Sequence, residues 1–167
     1  MGCDIHMYVE YKSKERFDDY WTYFWGKINP GRNYWMFGLI AKVRGSFKES
    51  FNPKGMPNNA SYVAEEDNYV YITKEGIGDN ECTIEQAKKW ERYGCKISYH
   101  CNIATKVTHP DWHSHTWLTT EEFEYVIDCH NKMKGAQREP QYEALLASMK
   151  KLEELGNDVR VICWFDN

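Results

Sequence analysis

The opening stretch MGCDIHMYVEYK (residues 1–12) alternates between apolar and polar residues. Successive side chains of a strand point to opposite faces, so this alternation predicts a strand over residues 3–12. One face carries the apolar and aromatic residues Cys3, Ile5, Met7, Val9 and Tyr11. The other face carries Asp4, His6, Tyr8, Glu10 and Lys12. The strand therefore offers one face to a core and holds a carboxylate beside an imidazole on the other.

The final stretch, DVRVICWFDN (158–167), alternates in the same way. One face of the predicted strand carries Val159, Val161, Cys163 and Phe165. The opposite face carries Arg160, Ile162, Trp164 and Asp166. Both terminal strands have the composition of core strands. We therefore expect them in the same sheet, where they could be neighbours.

Capping signals mark two helices in the first two thirds of the chain. The segment GRNYWMFGLIAKVRG (31–45) predicts a helix over 34–44, with Asn33 as the N-cap and Gly45 as the C-terminal stop. The segment CTIEQAKKWERYG (82–94) predicts a second helix that begins with a capping box of Thr83 and Gln86 and ends at Gly94.

Two further helices are predicted before the last strand. The segment LTTEEFEYVIDCHNKMKG (118–135) begins with a capping box of Thr119 and Glu122 and predicts a helix to about residue 134. The segment EPQYEALLASMKKLEELG (139–156) has a helical stripe of apolar residues and ends at Gly156.

The remaining segments predict short strands and loops. Residues 18–28 read as a strand or an extended arm, 68–73 and 96–105 as strands, and 107–117 as a polar, aromatic loop. Residues 45–80 are rich in Gly, Pro and Asn and predict a long irregular segment, a feature that is often functional or mobile. We expect a single α+β domain over residues 1–167, with a small mixed or antiparallel sheet that contains both terminal strands and packs against about four helices.

Composition excludes several classes of partner. The 167-residue chain has a net charge of -4, so the broad basic surface that duplex nucleic acid requires is not expected. No apolar stretch approaches the ~18 residues of a membrane span, and no leader sequence is recognised. The six Cys residues have no CxxC spacing, which favours free thiols in a reducing cytoplasm. Aromatic residues make up 16% of the chain and suit base stacking or an interface, including that of a homodimer.

Asp4 and His6 form the first candidate site. They occupy alternate positions of one strand face, roughly 7 Å apart, which suits two ligands of one metal ion or a base with its orienting acid. The alternative is a histidine that is merely hydrogen-bonded. If the terminal strands are neighbours, Asp166, which Asn167 follows, would approach both residues. The alternative for this pair is a frayed terminus.

The segment HPDWHSHTWLT (109–119) forms the second candidate site. It crowds His109, Asp111, His113 and His115 into seven residues. The His-x-His spacing places both imidazoles on one side of an extended segment, as a divalent transition metal or a phosphate would require. The segment also precedes a helix N-terminus, which attracts anions. The alternative is a polar surface loop.

Two arginines flank the first predicted helix. Arg32 precedes its N-terminus and could hold a phosphate together with the backbone N–H groups of the first turn. Arg44 lies in its last turn, where the simpler interpretation is stabilisation of the helix C-terminus.

The blocks GCDIH, GRNYWMFGLIAKVRG, KGMP, HSHTWLT and DVRVICWFDN together resemble a family of small proteins found largely in bacteriophage genomes. That family typically begins with Cys-Asp-Ile-His, carries an Arg-Asn-Tyr…Phe-Gly…Val-Arg helix and a His-Ser-x-x-Trp-Leu-Thr segment, and ends in Phe-Asp-Asn. Residues 60–106 match nothing in this pattern and could form a lid specific to a ligand. The recurring blocks map onto Asp4, His6, Arg32, Asn33, Tyr34, Arg44, His113, Ser114, Trp117 and Asp166.

The resemblance implies an accessory phage protein that counters host defence in the host cytoplasm, since several such proteins bind or cleave nucleotide signals. We therefore expect recognition of a small nucleotide-type ligand and metal-assisted hydrolysis of a phosphodiester. The candidate catalytic residues are Asp4, His6, His113 and His115. The candidate ligand-binding residues are Arg32, Asn33, Tyr34, Arg44, Ser114 and Trp117. A divalent Mn, Zn or Mg ion would be held by Asp4, His6, His113 and Asp166.

Two other functions stay open at this point. The same pocket could sequester the nucleotide without cleaving it, with arginines and aromatic rings holding the ligand. The aromatic surface could instead bind a host enzyme and inhibit it.

Overall fold

The two terminal strands pair along their whole length in the computed structural model, which describes residues 2–15 and 20–166. Strand β1 (Ile5–Ser13) is antiparallel to strand β8 (Asn157–Phe165), with Ile5 opposite Phe165 and Ser13 opposite Asn157. Strand β2 (Thr22–Ile28) adds to β1, and strand β7 (His113–Thr119) adds to β8, which gives the order β2-β1-β8-β7. The α+β class and the common sheet of both terminal strands are therefore confirmed.

The chain divides into two compact units, and this sheet belongs to the first, which comprises residues 1–64 and 113–167. Helices α1 (Tyr34–Ala41), α4 (Thr120–Asn131) and α5 (Pro140–Glu154) contribute to the same core. The core face of the sheet is formed by the predicted alternates, among them Ile5, Met7, Val9, Val161, Cys163 and Phe165. Each large apolar side chain buried here contributes about 1.5–3 kcal/mol.

The opposite face of this sheet is also largely buried. Tyr8, Ile162 and Trp164 are shielded from solvent there, and so are the charged residues Glu10 and Arg160. The alternation in the sequence places these residues correctly on the second face, but it does not reveal that the middle of that face is covered.

The second unit, residues 65–112, contains a smaller sheet with the order β4-β3-β6-β5. Its strands are β3 (Tyr69–Ile72), β4 (Glu81–Cys82), β5 (Ile97–His100) and β6 (Ile103–Thr108). Helix α3 (Ile84–Glu91) packs on it, and Val70, Cys82, Ala87 and Val107 form its small core. The strand predicted at 68–73 is confirmed. The short helix α2 (Tyr62–Glu66) lies at the junction of the two units in sequence.

One strand prediction is wrong, and one loop prediction is too long. Residues 96–105 form a hairpin, because Cys101 and Asn102 both adopt positive φ, 48° and 65°, as a two-residue turn requires. The loop predicted over 107–117 is confined to residues 109–112, because β6 ends at Thr108 and β7 begins at His113. Part of the strand predicted over 18–28 is confirmed as β2, whereas residues 18 and 19 lie outside the described residues.

The helix starts follow their capping signals. Asn33 caps α1 by accepting from the Trp35 and Met36 N–H groups, and both predicted capping boxes are present, at α3 and at α4. The predicted stop of α1 at Gly45 is wrong, because Lys42 adopts the left-handed conformation (φ 58°) and donates its N–H to the last carbonyls. No helix within residues 2–15 and 20–166 is long and apolar enough to cross a membrane.

Candidate functional site

His6 and Asp166 form a direct contact at one end of the first sheet. The Nε2 atom of His6 lies 3.0 Å from Oδ2 of Asp166, and their side chains are 16% and 28% exposed. The other carboxylate oxygen, Oδ1, accepts the N–H of Asp4 at 2.7 Å. The N–H of Asp166 in turn donates to the Asp4 carbonyl at 3.2 Å. Pairing of β1 with β8 therefore fixes the carboxylate against the imidazole.

Arg32 binds Asp4 at the same end of the sheet. Its Nε and Nη2 atoms donate to the two Asp4 carboxylate oxygens at 2.6 and 2.9 Å, which is the bidentate geometry that a guanidinium favours. The hydrogen bond from Arg32 lowers the pKa of Asp4, so this carboxylate stays charged down to a lower pH than usual. A Cβ at Gly2 would lie 2.3 Å from Nη1 of Arg32, so a side chain at this position would have to displace the guanidinium.

Arg44 also reaches this region, although the sequence favoured a role at the helix terminus. Its guanidinium lies beside the Cys3 thiol, whose pKa burial raises and Arg44 lowers to a smaller degree. Arg44 follows the end of α1 with a positive φ of 57°, a conformation that is uncommon for a residue with a side chain. Two carboxylates, two guanidinium groups and one imidazole thus lie at the first residues of β1.

A bulge in β7 separates the two histidines of the His-x-His motif. His113 lies opposite Phe165 and Thr116 lies opposite Cys163, so β7 has one more residue than β8 between these pairs. Ser114, inside the bulge, has a positive φ of 53°. The prediction that both imidazoles share one side is therefore wrong, because an extra residue reverses the alternation of side chains.

The two imidazoles pack against opposite faces of the sheet. The His113 ring stacks on Phe165, a core residue, with 6.2 Å between ring centroids, and its Nδ1 lies 2.9 Å from the Ser114 hydroxyl oxygen. Its Nε2 is buried without a hydrogen bond within the part of the chain that the structure describes. The His115 ring stacks on Trp164 at 5.9 Å.

Trp164 carries a row of stacked rings on the second face. His6 lies on it at 6.0 Å, Tyr8 at 5.7 Å and His115 at 5.9 Å. Burial, and to a smaller degree the neighbouring His113, lowers the pKa of His115 to about 4. His115 is therefore uncharged at neutral pH. The His6 ring is positioned both by stacking on Trp164 and by its contact with Asp166.

Three other candidate residues, Asn33, Tyr34 and Trp117, contact side chains of the fold. Asn33 caps α1 and also donates through Nδ2 to Glu139 at 2.6 Å, so its amide is engaged in the fold. Tyr34 begins α1 and packs its ring edge against Phe37 while remaining partly exposed. Trp117 lies on the second face of the sheet, farther along β7, with the Lys54 ammonium 4.2 Å from its ring centroid.

The second unit holds the remaining members of the histidine-rich segment. The His109 ring stacks on Trp112 with 4.4 Å between centroids, and its Nδ1 accepts the N–H of Asp111 at 3.3 Å. Both contacts join residues that are two or three positions apart in sequence.

Sequence reasoning missed a buried ion pair on the second face. The Arg160 guanidinium donates to the Glu10 carboxylate at 2.8 Å through Nε. It also donates to the side chain and the carbonyl of Asn59, while Glu10 accepts the N–H of Ser61 at 2.6 Å. The signal was available as charged residues at alternate positions of both terminal strands, but their pairing depends on a register that the sequence does not state.

No group of three His, Cys, Asp or Glu side chains within residues 2–15 and 20–166 is arranged to hold a metal ion. In the cluster of Asp4, His6 and Asp166, both carboxylates already accept hydrogen bonds from Arg32, from His6 or from the backbone.

The chemistry that this arrangement supports is proton transfer at His6. A carboxylate that holds one ring nitrogen orients the imidazole and stabilises the imidazolium that forms when the ring takes up a proton. Arg32 adds a cation beside it whose side chain is 55% exposed. Comparison of the chain with family models, curated proteins and solved structures finds no match to any of them.

Proposed function

We propose that this protein binds a small nucleotide-type ligand at the sheet end of Asp4, His6 and Asp166 and hydrolyses a phosphodiester there. The observation that carries this proposal is the 3.0 Å contact between His6 Nε2 and Asp166 Oδ2. A partly exposed imidazole oriented by a carboxylate is the arrangement that general acid–base catalysis uses. The resemblance to phage proteins favours a nucleotide signal of host defence as the ligand.

In this proposal His6 takes a proton from water. The resulting hydroxide attacks phosphorus, the bond from phosphorus to the leaving oxygen breaks, and the His6 imidazolium returns the proton to that oxygen. Asp166 keeps its negative charge throughout and stabilises the imidazolium. One histidine therefore serves as base and then as acid.

Arg32 supplies the positive charge that the phosphoryl oxygens need. Its Nη1 atom is not used in the bidentate contact with Asp4, so it can donate to a phosphate while Asp4 holds the guanidinium plane. Asp4 thus acts on the ligand through Arg32. His113, predicted as a fourth metal ligand, packs on Phe165 at the other face of the sheet from His6, so that part of the prediction is wrong. A divalent ion at Asp4, His6 and Asp166 stays part of the proposal and is tested together with it.

The test is incubation of the purified protein with cyclic and linear dinucleotides, first with Mn²⁺ and then with EDTA, followed by separation of the products. We expect a linear product or mononucleotides from wild type and from His100→Ala, which changes an exposed histidine in the second unit. His6→Ala should remain folded and lose turnover. A product that forms only with the metal would assign metal assistance.

Two outcomes decide against hydrolysis. Intact ligand that is released after heat denaturation would replace hydrolysis by sequestration, the second candidate function. The absence of both a product and a thermal shift with every dinucleotide would overturn binding as well.

A further inference from the structure

A cleft with a volume of about 420 Å³ lies on the first unit, at the other end of the sheet from His6 and Asp166. Trp21, Trp117, Val159, Asp158 and Glu153 contribute to its walls. Along β8, Asp158 lies about 25 Å from Asp166, and Trp117, which pairs with Ile162, lies about 13 Å from it. Its size and aromatic lining are typical of small-molecule sites.

Both indole rings of the cleft already carry a cation on part of their surface. The Arg160 guanidinium lies 3.8 Å from the centroid of Trp21, and the Lys54 ammonium lies 4.2 Å from that of Trp117. A second cation at either ring would be repelled by the first. The remaining indole surface therefore favours a neutral flat ring, which stacks by dispersion, over a cationic group.

The acidic side chains of the cleft differ in their engagement. Asp158 forms an ion pair with Lys14 at 3.1 Å. Within residues 2–15 and 20–166, no hydrogen bond or ion pair engages the Glu153 carboxylate, which lies in the last turn of α5. An ionised carboxylate only accepts hydrogen bonds, and its two oxygens match a pair of adjacent N–H donors.

We propose that this cleft binds a purine base that presents two adjacent N–H donors, as guanine does, with the ring stacked on Trp117 and the donors on Glu153. Guanine carries such a pair on one edge, whereas adenine carries a single amino group beside an acceptor. In this proposal Glu153 distinguishes guanine from adenine by the hydrogen-bond donors on the base edge, and Trp117 binds the base by stacking. It uses residues other than those of the proposed hydrolysis and does not depend on it.

The test is titration of the full-length protein with guanosine and with adenosine by isothermal calorimetry. Neither nucleoside has a phosphodiester, so the result is independent of hydrolysis. We expect guanosine to bind with at least about fivefold higher affinity than adenosine. Trp117→Leu should weaken guanosine binding about tenfold or more, since stacking on an aromatic ring carries most of the contact. Trp117→Phe keeps a flat ring and should retain most of the affinity.

Glu153→Gln should remove the preference for guanosine, because an amide presents a donor where the carboxylate presents an acceptor. The matched controls are Glu154→Gln, at the neighbouring position of α5, and Trp25→Leu, which changes an exposed Trp outside the cleft. Both should bind guanosine as wild type does. A lack of saturable guanosine binding, full affinity in a folded Trp117→Leu, or displacement of guanosine by tetramethylammonium would each overturn the proposal.

Discussion

His6 and Asp166 are 160 positions apart in sequence and 3.0 Å apart in the structure. The contact exists because β1 and β8 pair from Ile5 opposite Phe165 to Ser13 opposite Asn157. The site is therefore assembled from the two ends of the chain, and it forms only when the central strands of the first sheet have paired.

Asp166→Asn tests the role of this contact. An amide can still bond to His6, but it removes the negative charge that stabilises the imidazolium. We expect hydrolysis of a dinucleotide to slow by about 10²- to 10⁴-fold, the range typical of general acid–base catalysis. The measurement is kcat at a saturating ligand concentration.

The matched control is Asp128→Asn, an exposed aspartate on α4. It should keep the rate of wild type, because its charge lies on another element. If Asp166→Asn had the same rate as the control, the Asp166 carboxylate would have no role in stabilising the His6 imidazolium.

Arg160→Met tests the buried ion pair of Glu10 and Arg160. The substitution leaves the Glu10 carboxylate buried without its cation, and the free energy of unfolding should fall by about 3–5 kcal/mol in urea titrations. Loss of the exposed pair through Lys14→Met should cost less than about 1 kcal/mol. If both variants lost equally little, the buried pair would not hold the segment of Asn59 and Ser61 against the sheet.

Lys42→Gly tests the end of α1. Lys42 is exposed and holds a left-handed conformation with φ 58°, which costs a residue with a side chain about 1–2 kcal/mol. Glycine removes this strain but adds freedom to the unfolded chain, so the free energy of unfolding should rise by about 0.5–1 kcal/mol. Lys89→Gly, inside α3, should lower it by about 1 kcal/mol. Thermal or urea unfolding gives both values, and a shared sign would contradict this explanation of the helix end.

The main sheet could be predicted because its two central strands are long and strictly alternating. The shorter strands of the second unit, of two to six residues, have too few positions for a period to emerge. The turn at Cys101 and Asn102 and the stop at Lys42 escaped prediction for a common physical reason. Each uses a positive φ at a residue other than glycine, which the sequence does not signal.

The site could be predicted in part because the two terminal strands alternate strictly. Alternation places Asp4, His6 and Asp166 on known faces, and the pairing of the terminal strands brings them together. The bulge at Ser114 depends on tertiary packing, so the opposite facing of His113 and His115 could not be derived from their spacing. The wrong prediction for His113 and His115 does not affect the proposed catalysis, because that catalysis uses His6.

The buried His115 predicts a pH dependence of stability. Its pKa is lowered from 6.5 to about 4 in the folded protein, first by burial and then by His113. Between these two values the unfolded chain binds a proton that the folded protein does not, so stability falls as the pH decreases. The contribution is complete above pH 6.5, and about 1–3 kcal/mol should be lost by pH 4.

His115→Phe isolates this effect, since phenylalanine keeps a flat ring against Trp164 and cannot titrate. The free energy of unfolding, measured in urea at pH 7, 6, 5 and 4.5, should fall less steeply in this variant than in wild type. The carboxylates whose pKa is lowered, Asp4, Glu66, Glu85 and Glu154, are present in all three proteins, so their effect on stability cancels when the slopes are compared. His100→Phe, at an exposed position, should keep the slope of wild type. Equal slopes in all three proteins would mean that His115 takes up its proton in the folded state as readily as in the unfolded chain, and its burial against Trp164 would then carry no electrostatic cost.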